Sequence, residues 1–156
     1  MSRQPHLVKM SGAGNDFILL DGEQFRHVEP RFTQWVRRIC RRGLSVGADG
    51  VVVVDGAGDG RARARFFNPD GGEAFCGNGT RCAARFAAWR GMAPARMVLE
   101  TLVGDVPARV TDERVELRLP PPVDHGDHIV EVEGERHRGR LVRCWRICDV
   151  PACRFV

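Results

Sequence analysis

The sequence predicts an α+β domain in which a largely antiparallel sheet packs on a helix. Three observations lead there. Short apolar or alternating runs recur between turns rich in Gly, Pro and Asp; only two segments carry helical periodicity; and 156 residues suffice for one well-buried domain but not comfortably for two.

The elements follow in order along the chain. His6 to Met10 reads as a short strand entering the turn Ser11-Gly12-Ala13-Gly14-Asn15-Asp16, and Phe17 to Leu20 as a second strand. Between Pro30 and Arg42 the apolar residues Phe32, Trp35, Val36, Ile39 and Cys40 fall on one helical face, with Pro30 in the first turn and Gly43 as the stop. Val51 to Val54 is a continuous apolar run, expected as a buried strand, and Asp55 to Gly60 a turn. Ala62, Ala64 and Phe66 then alternate with Arg61, Arg63 and Arg65, a half-exposed strand. A loop from Asn68 to Gly79 leads into an Ala-rich helix, Thr80 to Arg90, closed by Gly91. The remainder reads as strands: Met97 to Thr101, Val106 to Val110, and Arg114 to Leu119 up to Pro120-Pro121-Pro122. Weaker candidates follow at His128 to Val132 and Leu141 to Cys148. No internal repeat is present.

Composition narrows the function classes. Hydrophobic residues make up 43% and charged residues 28%, as in ordinary globular proteins. No stretch approaches the roughly 20 apolar residues of a membrane span. Met1 to Leu20 lacks a basic segment followed by an apolar core, so no secretory leader is expected and the cytoplasm is the expected location. The net charge is +4, but the arginines are interleaved with acids, as in Glu116-Leu117-Arg118, so a salt-bridged surface is favoured over a nucleic-acid face. The six cysteines are then expected as reduced thiols.

The most informative segment is Phe67-Asn68-Pro69-Asp70-Gly71-Gly72-Glu73-Ala74-Phe75-Cys76-Gly77-Asn78-Gly79-Thr80-Arg81-Cys82. A thiol followed by Gly-Asn-Gly stands directly before a helix. The first helical N–H groups lack intrahelical partners, and the dipole there attracts negative charge. Such a position favours the thiolate form of a cysteine and offers a carboxylate site on the same N–H groups. Together they point to proton abstraction beside a carboxylate. Pyridoxal chemistry would need a Schiff-base lysine, and Lys9, the only lysine, ends a strand with no phosphate cradle beside it. Taken alone, a cysteine beside a glycine turn is more often a small buried hydrophobe than a catalyst. Two further polar clusters, Gly12-Ala13-Gly14-Asn15-Asp16 and Gly47-Ala48-Asp49-Gly50, add candidate ligand-binding side chains, although each is turn chemistry if taken singly. Neither is a dinucleotide fingerprint.

These segments, with Lys9 to Phe17, Val46 to Gly50, Phe67 to Gly71, Glu73 to Cys82 and Glu100-Thr101 with Gly104 in this order, resemble the diaminopimelate epimerase family from Leu7 to about Pro122. Related proline-racemase and phenazine-biosynthesis isomerases share the architecture, and Asn15 with Cys76-Gly77-Asn78-Gly79 favours the diaminopimelate branch. The resemblance implies two similar domains, each a mostly antiparallel sheet wrapped around a central helix, facing each other across the active site. It implies interconversion of LL- and meso-diaminopimelate, in lysine and peptidoglycan precursor biosynthesis, without cofactor or metal. One cysteine removes the α-proton and a thiol of the other domain delivers a proton to the opposite face. Carried over by motif, Cys76 is the catalytic cysteine of the first domain. Asn15 and Asn68 contact polar groups of the substrate, and Gly77 and Asn78 present N–H groups to its carboxylate. Cys82 is expected in the core, and Asp16 and Asp70 as turn formers.

The sequence departs from that pattern in its last part. It holds no second Cys-Gly element and no Glu-Arg pair near one, so residues 1–122 are expected as the first domain and 123–156 as a divergent strand region without the second. Activity would then need a second domain or a homodimer partner. The alternative is a degenerate half-domain that binds or self-associates without catalysis. Pro151 is kept where the family has a Pro-His pair, but the His is not; a shifted reading frame after Gly139 is one expectation for this end. Cys144, Cys148 and Cys153 do not have zinc-site spacing, and no metal is expected.

Overall fold

A computed structural model of the chain describes residues 7–112, 114–119, 121, 123–143 and 154–155. His6, Pro120, Pro122, Cys144, Cys148, Pro151 and Cys153, to which the sequence assigned elements or roles, lie outside the described residues.

The chain opens with a hairpin of β1 (Val8–Gly12) and β2 (Asn15–Asp21). Its two-residue turn is Ala13-Gly14, both at positive φ (53° and 91°), the geometry that matches strand twist in tight hairpins. Next come α1 (Gly22–Val28), a 3₁₀ turn (Glu29–Arg31) and α2 (Phe32–Ile39). β3 (Gly50–Gly58) and β4 (Arg61–Phe67) form a second hairpin, and the short β5 (Glu73–Ala74) precedes α3 (Gly77–Trp89). β6 (Arg96–Thr101), β7 (Gly104–Val110) and β8 (Val115–Leu117) complete the main run. β9 (Val123–Val132) and β10 (Glu135–Arg143) make a separate two-stranded sheet, and β11 (Arg154–Phe155) pairs with β1.

The large sheet runs β11-β1-β2-β3-β4-β6-β7-β8, with β5 beside β4. It is antiparallel except for the pairs β2–β3 and β4–β6, each joined through a helix-bearing connection. The α+β class and the mostly antiparallel sheet expected from sequence are thus what the chain adopts.

The sheet curls around α3, and side-chain alternation explains how. Met10, Phe17, Leu19, Val52, Val54, Leu99, Val106 and Leu117 face inward onto Cys82, Ala83, Ala84, Phe86 and Ala87 of the helix. The small alanines let the strands approach closely. Ile18, Leu20, Val51 and Val53 point the other way and pack under Phe32, Val36 and Cys40. β2 and the Val51 to Val54 run of β3 are therefore buried on both faces, as their unbroken apolar runs require. Truncating Leu99, fully buried between sheet and helix, would cost about 2–5 kcal/mol.

Several elements differ from the sequence expectation: β5 forms inside the expected Asn68 to Gly79 loop, β9 starts at Val123 rather than His128, and β10 starts at Glu135, ahead of the strand expected from Leu141. α1 was not expected; Asp21 starts it with a capping box, its carboxylate accepting the Gln24 N–H while the Gln24 side chain accepts the Asp21 N–H. The helix expected from Pro30 is instead a 3₁₀ turn followed by α2, which ends at Ile39. The expected turn at Asp55 to Gly60 belongs to β3 as far as Gly58, because a register shift between Gly56 and Gly58 lets the ladder continue to Arg61. α3 begins at Gly77 rather than Thr80, since Cys76 supplies the cap that its glycine-rich first turn needs.

Candidate active site

Three loop–element junctions meet at the N-terminus of α3. Cys76 is its N-cap, in extended conformation, and its Sγ accepts the Gly79 N–H at 3.4 Å. The Cys76 carbonyl accepts both the Thr80 N–H and the Thr80 hydroxyl, each at 2.8 Å, which closes the first turn tightly. Gly77 and Asn78, the first two helical residues, contribute N–H groups with no carbonyl one turn earlier to bind. The thiol is half-buried, whereas Cys40 and Cys82 are buried. Burial pushes the Cys40 thiol up to about 11, and Asp16 and Asp49 add to this while Arg42 opposes it. Cys40 and Cys82 are packing residues, as expected for Cys82.

A hydrogen-bonded line ties Cys76's helix to the other two polar clusters. Arg81 Nη1 donates to Asn78 Oδ1 at 3.1 Å, Asn78 Nδ2 to Asn15 Oδ1 at 2.9 Å, and Asn15 Nδ2 to Asp49 Oδ2 at 2.9 Å. The Asp16 N–H also reaches Asp49 Oδ2 at 3.2 Å, and Asp49 N–H returns to the Asp16 carbonyl at 2.8 Å. Asp49 Oδ1 is held by Arg42 at 2.7 Å. Asn15, Asn78, Gly77 and Cys76 are therefore brought together, and Asp49 and Arg81, neither of them given a specific role from sequence, join them. Gly47-Ala48-Asp49-Gly50 was the available signal for Asp49; Arg81 was read only as part of the motif.

Asp16 is an ion-pair residue rather than a turn former. It receives Lys9 Nζ at 3.0 Å and the Arg42 guanidinium, and those cations, Arg42 foremost, hold its carboxyl well below the usual carboxylate range. Lys9 also donates to the Gly47 carbonyl at 2.8 Å, so the single lysine braces the β1–β2 hairpin against the loop before β3. Asp49 is lowered too, first by the Asn15 hydrogen bond and then by Arg42.

Asn68 stands apart from the line. It is exposed at the end of β4, and its backbone holds the 68–72 turn: its N–H donates to the Gly72 carbonyl at 2.9 Å and its carbonyl accepts the Gly71 N–H at 2.8 Å. Asp70 does form the turn, its carboxylate accepting the Gly72 N–H at 2.8 Å. Beside Cys76 lies a niche of about 10 Å³ walled by Val52, Phe66, Phe75 and Leu102 together with Thr80 and Thr101, far too small for an amino acid. A much larger hollow of about 850 Å³ lies over Val98, Pro107 and Arg109 on the outer face of β6–β8. Size favours that hollow, whereas the thiol and the N-terminus of α3 make the Cys76 end the candidate site.

The curled sheet wrapped around a central helix is a fold that this chain shares with several solved structures. The chain shares that fold with a hydroxyproline epimerase from Agrobacterium vitis (TM-score 0.62, 19% identity, covering 87% of this chain and 48% of that one). It shares it also with a PhzF-family phenazine biosynthesis protein from Bacillus anthracis (TM-score 0.54, 21% identity, covering 77% and 42%). Within that fold, residues 7–123 match the diaminopimelate epimerase family model, and the chain belongs to that family. A diaminopimelate epimerase from Hydrogenobaculum sp. (strain Y04AAS1) is 37% identical over 147 residues, covering 87% of this chain and 53% of that protein. One from Archaeoglobus fulgidus is 43% identical over 112 residues, covering 67% and 38%. The chain spans about half the length of the curated relatives it matches. Among the described residues no helix is long and apolar enough to cross a membrane, and no three His, Cys, Asp or Glu side chains are grouped to hold a metal ion.

Proposed function

We propose that residues 1–122 form the first lobe of a diaminopimelate epimerase, acting on the free amino acid in the cytoplasm, with Cys76 as one of two acid/base thiols. The observation that carries this reading is the Cys76 cap: one side chain both starts α3 and sits beside the N–H groups of Gly77 and Asn78. The substrate's α-carboxylate binds those N–H groups, with Asn15 and Asn68 on its other polar atoms. The Cys76 thiolate takes the α-proton onto Sγ. The electron pair left on the α-carbon spreads into the carboxylate, where the N–H groups and the helix dipole stabilise the added charge. Inversion is completed when a thiol from a second lobe, in the same polypeptide or another, gives its proton to the opposite face.

The test is deuterium uptake at the α-carbon of LL-diaminopimelate in heavy water, with the chain alone and with a complementing second lobe. Uptake that disappears in Cys76→Ala supports the reading. No uptake under either condition overturns it in favour of a non-catalytic half-domain.

A further inference from the structure

We propose that Asp49 is a positioning residue that fixes the orientation of the Asn15 and Asn78 side-chain amides toward the substrate. The inference rests on the reading above, in which those two residues line the substrate site. A carboxylate can only accept hydrogen bonds and a guanidinium can only donate them. Asp49 at one end of the line therefore demands the Nδ2 of Asn15, at 2.9 Å, which turns Asn15 Oδ1 toward Asn78. Arg81 at the other end demands the Oδ1 of Asn78, which turns its Nδ2 toward Asn15. The two amides thus have one consistent direction between two charged ends. Each keeps one further N–H and further carbonyl acceptor capacity, in fixed places, for ammonium or carboxylate groups of the ligand. Without a charged end the two orientations of an Asn amide are nearly the same in shape, and the set would scramble.

Asp49 is itself clamped. Arg42 holds Oδ1 at 2.7 Å, the Asp16 N–H reaches Oδ2 at 3.2 Å, and the Asp49 N–H is fixed on the Asp16 carbonyl at 2.8 Å. It lies at the end of the loop before β3, so it acts on the site through Asn15 and not by contact with Cys76.

The experiment follows the side-chain amide signals of Asn15, Asn78 and Asn68 by nitrogen-15 NMR on the full chain, first free and then titrated with LL-diaminopimelate. In Asp49→Ala, water exchange of the Asn15 and Asn78 amide protons should rise about tenfold while Asn68 is unchanged, and the apparent Kd should rise about tenfold. Asp49→Asn keeps the shape but not the charge and can turn either its oxygen or its NH₂ toward Asn15, so it should lose most of the ordering, as Asp49→Ala does. An Asn78 signal unmoved in Asp49→Ala, or an Asp49→Asn variant with wild-type amide exchange and affinity, overturns the proposal. A wild-type chain that shows the coupled amides but no response to diaminopimelate overturns the substrate reading, and the positioning role with it. A wild type that binds, beside an Asp49→Ala variant that binds equally well, overturns the positioning role alone.

Discussion

Asn78 Nδ2 donates to the side-chain oxygen Oδ1 of Asn15 at 2.9 Å, joining two residues 63 positions apart in the chain. One is the first residue of β2 and the other lies in the first turn of α3, so the bond exists only when sheet and helix are assembled. A double-mutant cycle with Asn15→Ala and Asn78→Ala, read by urea unfolding, should give a coupling of about 0.5–1.5 kcal/mol. Additive single-variant effects would show that the bond contributes nothing to folding.

The helix cap made by Cys76 and the acid/base role proposed for its thiol can be separated by substitution. Serine is a strong N-cap, so Cys76→Ser should match or slightly exceed the wild type in stability. Cys76→Ala, which leaves the Gly79 N–H without its sulfur acceptor, should lose about 0.5–2 kcal/mol. Both variants should lack thiol-dependent deuterium uptake. A serine variant as unstable as the alanine variant would mean that the cap is not what starts the helix.

The sheet and the two helix faces were legible because burial on both sides leaves an unmistakable apolar run at Val51 to Val54, and α2 a periodic stripe from Phe32 to Cys40. α1 was not read, although Asp21 and Gln24 spell out a capping box, because its seven residues bury only Gly22 and show no apolar stripe. The thiol and its glycine-rich turn could be read from local physics. The line from Arg42 to Arg81 could not, since its bonds from Asp49 to Asn15 and from Asn15 to Asn78 join side chains 34 and 63 positions apart. Local turn chemistry explained Asp16 and Asp49 well enough in sequence, and only their arrangement around Arg42 gives them another role.

The same cluster sets a pH dependence. Asp16 and Asp49 both have folded values below the ordinary 3.8, so their contribution to stability is present above that value. It is lost as pH falls below 3.8 toward the lowered folded values, because the unfolded chain then binds protons that the folded chain resists. Thermal unfolding from pH 6 to pH 2.5 should show a falling Tm, and Arg42→Gln should flatten that fall. An unchanged slope in Arg42→Gln would show that Arg42 does not hold the two carboxylates.

Thiol chemistry should distinguish the described cysteines. Brief treatment with iodoacetamide near pH 7.5, followed by peptide mapping, should modify Cys76 well ahead of Cys40 and Cys82. Cys40 is buried and pushed up to about 11, and Cys82 is fully buried against the sheet. Equal labelling of Cys40 under native conditions would show that the packing of α2 on β2 and β3 opens readily.

Gly71 connects the 68–72 turn to α2 and so governs where Asn68 stands. Its φ is +84°, a region that side chains other than glycine rarely adopt, and a Cβ there would lie 2.7 Å from Thr33 Cγ2 and 3.1 Å from Thr33 Cα. The second contact is with the helix backbone and cannot be relieved by turning a side chain. Gly71→Ala should therefore destabilise the chain by about 1–3 kcal/mol through strain and overpacking. Thr33→Ala removes the closer contact but neither the backbone contact nor the positive φ, so it should restore part of the loss in Gly71→Ala. Full restoration would mean that the methyl clash alone fixes the turn; no restoration would place the whole cost in the backbone conformation.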